Sequence, residues 1–259
     1  MIYRVTEPIP ELENMKKYPE KLFYIGNLEL LQRPKVSIVG TRRPSGYTKH
    51  FTQLLAKALV ARGVTIVSGA AMGVDTAAHL GAGAAHTIAV VANSLDIRYP
   101  ATNRGMIESI EHQGLMLSQF EPTFRATAWS FVVRNEIVVA LGDVLIVTEA
   151  DLDSGSIRSV EFALAMGKQI YVLPHRLDES LGTNDLLARG LAEPIYDIET
   201  FANRYGVIPQ DETLEKDAFF YFCQGQPTLD EAVEKFGARI YEAELEGIIQ
   251  IDNGLVQLA

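Results

Sequence analysis

The chain has 259 residues, a formal net charge of −10 and a hydrophobic fraction of 47%. This length indicates one large domain, or a domain of roughly 150–200 residues with a smaller companion. No apolar run reaches about 18 residues and the N-terminus has no signal-peptide layout, so neither a membrane span nor secretion is predicted. The single cysteine, Cys223, cannot form an intramolecular disulfide, and the five scattered histidines suggest no metal cluster. We therefore expect a cytoplasmic protein without a metal or cofactor.

The acidic charge is unevenly distributed along the chain. Residues 207–259 contain 11 acidic and 3 basic residues, a balance of −8, which leaves a balance of only −2 for residues 1–206. A near-neutral region can carry a local basic crevice, whereas the C-terminal region is not expected to bind nucleic acid by electrostatics alone.

Residues 1–34 are predicted to form a short, charged helical segment that ends at Pro34. From Lys35 onwards, β-branched runs alternate with helical patterns. The predicted strands are 36–39, 65–68, 87–91, 115–119, 144–148 and 169–172, and the predicted helices are 47–62, 76–84, 103–112, 132–141 and 157–166. This alternation with short connections predicts an α/β fold, a Rossmann-like, doubly wound and mostly parallel sheet, over residues 35–205.

A different pattern follows a linker near Gly206 and Pro209, so residues 206–259 are predicted to form a second domain. Its predicted elements are helices 213–224, 229–236 and 239–247 and strands 248–251 and 255–258. The two strands are joined by Asp252-Asn253-Gly254, and Asn-Gly is a strong hairpin signal. Three short helices and a hairpin predict a winged-helix-like domain.

Two glycine-containing loops follow the first two strands of the predicted parallel sheet. Gly40-Thr41-Arg42-Arg43 begins the first loop, and Ser68-Gly69 begins the second. Backbone N–H groups and helix N-termini at the carboxyl ends of parallel strands attract anions, and arginine donates bidentately to phosphate. These loops predict a phosphate-binding crevice, the alternative being tight turns with solvent-exposed arginines. Neither contains the GxGxxG or GxxxxGK[ST] pattern, so a NAD enzyme or an ATPase is not favoured.

The second loop continues into a predicted helix with two further polar residues. Asp75 is a candidate N-cap with a structural role, because an acidic side chain there satisfies free N–H groups. His79, one turn later, is predicted to be a buried, hydrogen-bonded residue rather than a ligand.

Two later segments add candidate binding residues. Trp129 and Phe131 lie beside Arg134, a combination that suits stacking of unpaired bases next to a phosphate contact. The alternative is that both aromatic side chains cover the sheet. Ser154-Gly155-Ser156 opens a predicted helix and can offer backbone N–H groups to an anion. The neighbouring acids, which include Asp151 and Asp153, match no standard metal-binding loop.

These motifs, taken in order, resemble the DNA-processing protein A family (DprA, also called Smf). The resemblance covers residues 35–197. It rests on Val39-Gly40-Thr41-Arg42, Ser68 to Asp75 with Ala78-His79, Asp96 with Tyr99-Pro100, Phe131 with Arg134-Asn135, Glu149-Ala150, and Ser154-Gly155-Ser156. It implies an extended Rossmann fold that binds single-stranded DNA without cutting it. It also implies a homodimer that protects incoming strands and loads the RecA recombinase, chiefly during natural transformation.

The resemblance also implies roles for particular residues. Arg42 with its loop (Gly40, Thr41 and Arg43) and the Ser68-Gly69 turn would contact backbone phosphate. Phe131 and Arg134 would line the path of the strand, and Asn135 would be a hydrogen-bond partner. Ser154, Gly155 and Ser156 complete the predicted DNA-binding set.

The sequence departs from the family pattern at several positions. The usual Phe-Pro-x-Arg-Asn-Arg is here Phe131-Val132-Val133-Arg134-Asn135-Glu136, so the last basic residue is acidic. The neutral stretch 126–130 replaces an expected basic residue, which leaves Arg125 as the nearest candidate. Ser159-Val160 and Pro174-His175 replace Thr-Ala and Pro-Gly. We expect these changes to remove positive charge from the groove and to affect DNA affinity more than the fold.

Two alternative functions stay open at this point. The first is a nucleotide-binding enzyme similar to the LOG-type phosphoribohydrolases, which cleave nucleoside monophosphates. Glu161 would suit such an enzyme, but its Arg-Lys pair and glycine-rich loop are missing here. The second is a RecA-facing interaction scaffold with weak DNA binding.

Overall fold

A computed structural model describes residues 1–206, 218–245, 248–252 and 254–258. The chain divides into two compact units, Met1–Ile208 and Pro209–Ala259. Within the described ranges, no helix has both the length and the hydrophobicity needed to cross a membrane.

The first unit is built on one nine-stranded sheet with the order β1-β2-β6-β5-β4-β3-β7-β8-β9. Its strands are β1 (Tyr3–Arg4), β2 (Phe23–Gly26), β3 (Lys35–Val39), β4 (Thr65–Ser68), β5 (Thr87–Val90), β6 (Leu115–Ser118), β7 (Val144–Val147), β8 (Ile170–Val172) and β9 (Glu193–Pro194). Strands β3 to β9 run parallel, and β1 and β2 add an antiparallel edge. The predicted α/β class with a mostly parallel sheet is therefore confirmed.

Helices cover both faces of this sheet. They are α1 (Gly46–Val60), α2 (Val74–Ala82), α3 (Arg104–Gln113), α4 (Ala128–Leu141), α5 (Gly155–Ala165), α6 (Leu181–Ala188) and α7 (Ile198–Ala202). Because side chains alternate along a strand, Val36 and Ile38 of β3 enter the core shared with α1 and α2, whereas Val39 enters the core shared with α4 and α5. Burial on both faces explains why these strands are apolar throughout.

The predicted strands and helices between residues 35 and 172 are all present, with most ends within two residues. The main difference is α4, which begins at Ala128, four residues before the predicted helix 132–141. Thr127 and Ser130 form a reciprocal capping box, in which each hydroxyl accepts the other residue's backbone N–H at 3.2 and 2.8 Å. The cap adds a helical turn that contains Trp129 and Phe131.

The prediction of a helical N-terminal segment is wrong for much of its length. This segment contains strands β1 and β2 and two short 3-10 helices, Pro10–Asn14 and Leu28–Gln32. Strand β2 pairs antiparallel with β6, and Leu12 and Leu30 are fully buried in the main core. Edge strands of two and four residues are too short to show a clear periodicity in sequence.

The position of β3 between β4 and β7 creates a crevice at the carboxyl ends of the strands. From β3 the chain moves outward through β4, β5 and β6, and then returns to place β7 on the other side of β3. The loops after β3 and β7 therefore lead to helices on opposite faces. In open α/β sheets, ligands bind in the crevice at such a switch point.

The described part of the second unit contains α8 (Ala218–Gln224), α9 (Leu229–Phe236), α10 (Arg239–Leu245), β10 (Ile249–Asp252) and β11 (Leu255–Leu258). The two strands pair antiparallel as a hairpin. Residues 213–217, 246–247 and Asn253, which also belong to predicted elements, lie outside the described residues. The winged-helix assignment stays a prediction.

Candidate nucleic-acid interface

A pocket of about 610 Å³ occupies the crevice between the loop after β3 and the first turns of α4 and α5. Nine of the twelve residues predicted to bind DNA line it: Gly40, Thr41, Arg42, Phe131, Arg134, Asn135, Ser154, Gly155 and Ser156. The other three, Arg43, Ser68 and Gly69, are not among its lining residues. The fold thus brings together segments more than 100 residues apart in sequence.

The loop after β3 is held tightly at its base. The Thr41 N–H donates to the Glu149 carbonyl oxygen at 2.8 Å, which ties the loops after β3 and β7 together. A Cβ atom at Gly40 would lie 2.5 Å from Cγ2 of Val74, so only glycine allows this packing. The Thr41 hydroxyl accepts the Arg43 N–H at 3.2 Å. The result is a fixed loop with Arg42 exposed at the rim of the pocket.

Phe131 lies next to two guanidinium groups. The Arg42 Cζ atom is 4.7 Å from the centre of the Phe131 ring, and the Arg134 Cζ atom is 5.9 Å from it. Both distances are within the range of a cation–π interaction. Because Arg42 is exposed and Phe131 is partly exposed, a ligand would meet the guanidinium and the aromatic ring on which it stacks.

Arg134 is buried beneath this pair. Its Nη1 atom lies 3.6 Å from Asp75 Oδ2 and donates to the Val90 carbonyl oxygen at 3.1 Å. Burial lowers the pKa of the Arg134 guanidinium, and the Asp75 carboxylate acts in the opposite direction. The Nε atom has no hydrogen-bond partner among the described residues. Arg134 is therefore a fixed, ion-paired side chain in the lining of the pocket.

The Ser68-Gly69 turn supports Arg134 from below. A Cβ atom at Gly69 would lie 1.2 Å from the Arg134 Nη1 atom, so a side chain there would displace the guanidinium. The Ser68 hydroxyl is buried and donates to the Ile38 carbonyl oxygen at 2.7 Å. The Ser68 hydroxyl is therefore used internally, whereas Gly69 lines a small cavity that also includes Arg42 and Phe131.

His79 holds the same turn in place. Its Nε2 atom accepts the Ala70 N–H at 3.2 Å, and its Nδ1 atom lies 2.7 Å from Thr87 Oγ1. Since the Thr87 hydroxyl donates to the Ile66 carbonyl oxygen, it accepts from Nδ1–H, which fixes the neutral tautomer. Burial lowers the pKa of His79 to about 3. The prediction of a buried, hydrogen-bonded histidine is confirmed.

Asp75 is not the N-cap of α2, as the sequence suggested. The cap residue is Gly73, whose φ of +85° suits glycine, and Asp75 lies in the first helical turn. Its carboxylate accepts the Ala71 N–H at 3.2 Å and faces Arg134. Asp75 has the predicted structural role, and it performs this role mainly through its ion pair with Arg134.

The N-terminus of α5 forms the other side of the pocket. Ser154 is the N-cap, yet its hydroxyl makes no capping hydrogen bond. The buried Oγ atoms of Ser154 and Ser159 lack a partner among the described residues. Around the Cβ position of Gly155, nothing lies within 4 Å. Uncapped N–H groups at a helix N-terminus attract anions, so this arrangement suits a phosphate group.

Comparison with known proteins assigns the family. The family model for DNA recombination-mediator protein A matches residues 2–206. The chain belongs to this family. It is 35% identical to the DNA processing protein DprA of Streptococcus pneumoniae over 184 residues, which are 70% of this chain and 65% of that protein. It is also 35% identical to protein Smf of Synechocystis over 199 residues, which are 74% of this chain and 50% of that protein. The chain thus spans between half and two thirds of the length of these two relatives.

Two solved structures of family members match the fold. DNA processing protein A of Helicobacter pylori, whose structure concerns its single-stranded DNA binding mode, has a TM-score of 0.77 and 42% identity. The match covers 78% of this chain and 94% of that one. The Streptococcus pneumoniae protein has a TM-score of 0.73 and 31% identity, with 80% and 74% coverage.

Seven lining residues are not in the predicted DNA-binding set, namely Val39, Ala71, Asp75, Ala128, Val132, Arg158 and Ser159, and Arg158 is the basic one among them. Arg158 lines the pocket from the first turn of α5 and is exposed. The position of Arg158, three residues after Gly155, could have indicated this location, because residues three apart share a helix face. Arg158 supplies a second exposed guanidinium to the pocket. The departures from the family pattern had led us to expect less positive charge there.

The departures from the family pattern fall both inside and outside the pocket, and Ala128 and Val132 line it. Glu136, which replaces a basic residue, accepts the Lys16 N–H at 2.9 Å and lines a different cavity. The exchange at this position therefore changes the charge of a different cavity, not of the pocket. His175 places Nε2 at 2.7 Å from the Thr148 carbonyl oxygen. Ser159 does line the pocket.

The geometry also bears on the alternative of a nucleotide-cleaving enzyme. Glu161 is exposed and is not among the residues that line the pocket. Within the described part of the chain, no three His, Cys, Asp or Glu side chains are grouped so that they would hold a metal ion.

Proposed function

We propose that this protein binds single-stranded DNA at the pocket between the loop after β3 and helices α4 and α5. In this proposal it is a non-enzymatic mediator that protects incoming strands and loads RecA during recombination and natural transformation. One observation carries the proposal: a free helix N-terminus and the Arg42–Phe131 pair line the same pocket of about 610 Å³.

The phosphate contacts are assigned to the two walls of the pocket. The uncapped N–H groups at the start of α5 and the unpartnered Ser159 hydroxyl suit one phosphate. Arg42 and Arg158 are exposed on the rim and suit phosphates before and after it. The buried Arg134 also lines the pocket, but its positive charge is paired with the Asp75 carboxylate at 3.6 Å, so the exposed arginines carry the phosphate contacts.

The preference for a single strand follows from Phe131. An aromatic face stacks with a base of any type, which provides affinity without sequence preference. In a duplex the bases are stacked and paired, and taking one out costs a few kcal/mol. A concave pocket with one partly exposed aromatic ring therefore suits an unpaired nucleotide.

Family membership supports the wider role. The Helicobacter pylori relative, similar over most of its length, binds single-stranded DNA. RecA loading and a homodimer are the family properties that the sequence motifs implied, and they belong to this proposal.

The test is a fluorescence anisotropy titration of a labelled, unstructured oligonucleotide at low and moderate salt. We expect affinity to fall as salt rises, with a slope of about −0.7 in log affinity against log salt for each phosphate contacted. An unlabelled single strand should compete more strongly than the same sequence as a duplex.

Two controls make the test specific. Arg33→Ala removes an exposed arginine that is not among the lining residues of the pocket and should leave affinity unchanged. Integrity of the labelled strand after incubation checks the non-enzymatic part. An absence of binding at low salt, or a stronger preference for duplex, would contradict the proposal.

The RecA part has a separate readout. RecA-dependent ATP hydrolysis on DNA coated with a single-strand-binding protein should start sooner when this protein is present. An unchanged lag, with DNA binding intact, would limit the function to strand binding.

A further inference from the structure

A second, aromatic pocket lies beside the start of α4. It has a volume of about 490 Å³ and is lined by four aromatic side chains, Tyr18, Phe120, Phe124 and Trp129, and by five charged residues. The rings of Phe120 and Phe124 stack with centroids 4.3 Å apart, and Trp129 meets Phe120 edge-on at 6.0 Å. Trp129 is 61% exposed, an unusual position for the largest apolar side chain.

This aromatic pocket shares a wall with the proposed DNA site. Ala128 and Val132 of α4 line the DNA pocket, whereas Trp129 and Val133 line the aromatic pocket. Trp129 and Phe131 are separated by about 200° around the helix axis, since each residue turns about 100°. The first turn of α4 is therefore a ridge with an aromatic side chain on each flank.

The platform under Trp129 is held firmly. The Phe124 carbonyl oxygen accepts the Ser94 N–H at 3.0 Å and the Ser94 hydroxyl at 3.1 Å. Phe120 is buried, and its N–H donates to the Ser118 hydroxyl at 3.1 Å. A ligand would thus meet a preformed aromatic surface, which lowers the entropic cost of binding.

The charged groups around this pocket are mostly satisfied in pairs. Lys17 pairs with Glu20 at 2.7 Å, and Lys21 pairs with Glu121. The Glu136 carboxylate accepts the Lys16 N–H. Such surroundings offer little to a phosphate but suit an uncharged, planar group.

We propose that the aromatic pocket takes a second unpaired base of the same DNA strand, stacked on Trp129. This proposal rests on the proposed function, because the strand must first be held at the DNA pocket. Across a helix about 10 Å wide, stacked nucleotides about 3.4 Å apart would place roughly three nucleotides between the two aromatic sites. The strand would cross the N-terminal end of α4, with its phosphates on the arginine side.

The test uses the fact that Trp129 is the only tryptophan in the sequence. Oligothymidylate is titrated into the full chain while tryptophan emission and the anisotropy of a labelled strand are followed in parallel. We expect emission to be quenched with the same midpoint as the anisotropy change. A sugar-phosphate strand without bases should bind more weakly and leave the emission unchanged.

Variants give a second readout. Trp129→Ala should lower affinity by about tenfold, a typical cost of losing one base–aromatic stack, and Trp129→Phe should retain most of it. Tyr241→Ala, which removes an exposed aromatic side chain of the second unit, is the matched control and should bind normally.

The outcomes separate the two proposals. Strand binding with unchanged emission and normal affinity of Trp129→Ala would overturn the aromatic pocket proposal and leave the proposed function intact. Emission that changes with protein concentration alone would assign the pocket to contact between copies of the chain and also overturn it. No binding of any strand would overturn both proposals.

Discussion

The two glycine-containing loops of this protein look alike in sequence and differ in what they do. The loop after β3 presents the exposed Arg42 to the pocket, whereas the segment after β4 lines it with Ala71 and the ion-paired Asp75 and uses Ser68 for an internal contact. The difference follows from position. The loop after β3 lies at the switch point, while β4 lies one strand further into the sheet. A glycine-rich loop is thus a binding element only where the sheet leaves room for a ligand.

This comparison leads to different expectations for substitutions in the two loops. Changes in the loop after β4 should act on the free energy of unfolding, and changes at the rim of the pocket should act on DNA affinity. The proposed difference between the loops would be wrong if substitutions after β4 mainly changed DNA affinity, or if substitutions at the rim mainly changed stability.

The largest effect is expected for Asp75→Ala. This change leaves the buried Arg134 guanidinium without its carboxylate, and breaking such a buried pair typically costs about 3–5 kcal/mol. Urea denaturation followed by circular dichroism measures the loss. A stability within about 0.5 kcal/mol of the wild type, the range for ordinary surface changes, would show that Arg134 does not depend on Asp75.

The second prediction concerns His79 and pH. Its pKa is lowered from 6.5 to about 3 in the folded protein, so between these values the unfolded chain binds a proton that the folded chain does not. Above about pH 6.5, His79 therefore does not lower the free energy of unfolding. Below that pH, the free energy of unfolding falls by roughly 1.4 kcal/mol for each pH unit, or about 2 kcal/mol by pH 5.

Comparison with His79→Gln isolates this contribution from other titrating groups. The free energy of unfolding of the wild type should fall more steeply between pH 7 and about pH 5 than that of the variant. Parallel curves for the two proteins would mean that His79 is not held neutral.

The third prediction concerns the rim of the pocket. Arg42→Ala should weaken single-strand binding by about 1–3 kcal/mol, the order expected for a charged hydrogen bond. Its free energy of unfolding should stay within about 0.5 kcal/mol of the wild type, because the side chain is exposed. Unchanged affinity in the anisotropy assay would remove Arg42 from the interface.

The smallest effect is expected for Arg158→Ala. Arg158 is exposed on the first turn of α5, so it should contribute one screened phosphate contact. We expect affinity to fall only a few fold. The slope of log affinity against log salt should become shallower by about the contribution of one phosphate contact. A loss larger than that of Arg42→Ala would move the centre of the site to α5.

The sequence was sufficient to predict six of the nine strands of the sheet, β3 to β8, and most of the pocket. Strands such as β7 are continuous apolar runs, and the start of α5 follows a Ser-Gly-Ser signal, so local patterns locate them. The N-terminal strands were missed because β2 is four residues long and is defined by its pairing with β6, a contact distant in sequence.

What sequence could not show is which polar groups are already satisfied. Ser68 and Arg134 both looked available for DNA, yet one donates to a strand carbonyl and the other is buried on Asp75. Conversely, Glu136 looked harmful to the groove and lies outside it. Such assignments depend on distances between segments that the order of residues does not contain.

The most direct test of the account is amide hydrogen–deuterium exchange with and without a bound oligonucleotide. We predict protection by DNA in peptides covering 40–43 and 154–158, because residues of both segments line the pocket. Within 68–75, the N–H groups of Ala70 and Ala71 should exchange slowly in both states, because they donate to the His79 ring and the Asp75 carboxylate. If bound DNA protected only residues 68–75, or only segments outside the pocket, the result would contradict DNA binding at this pocket.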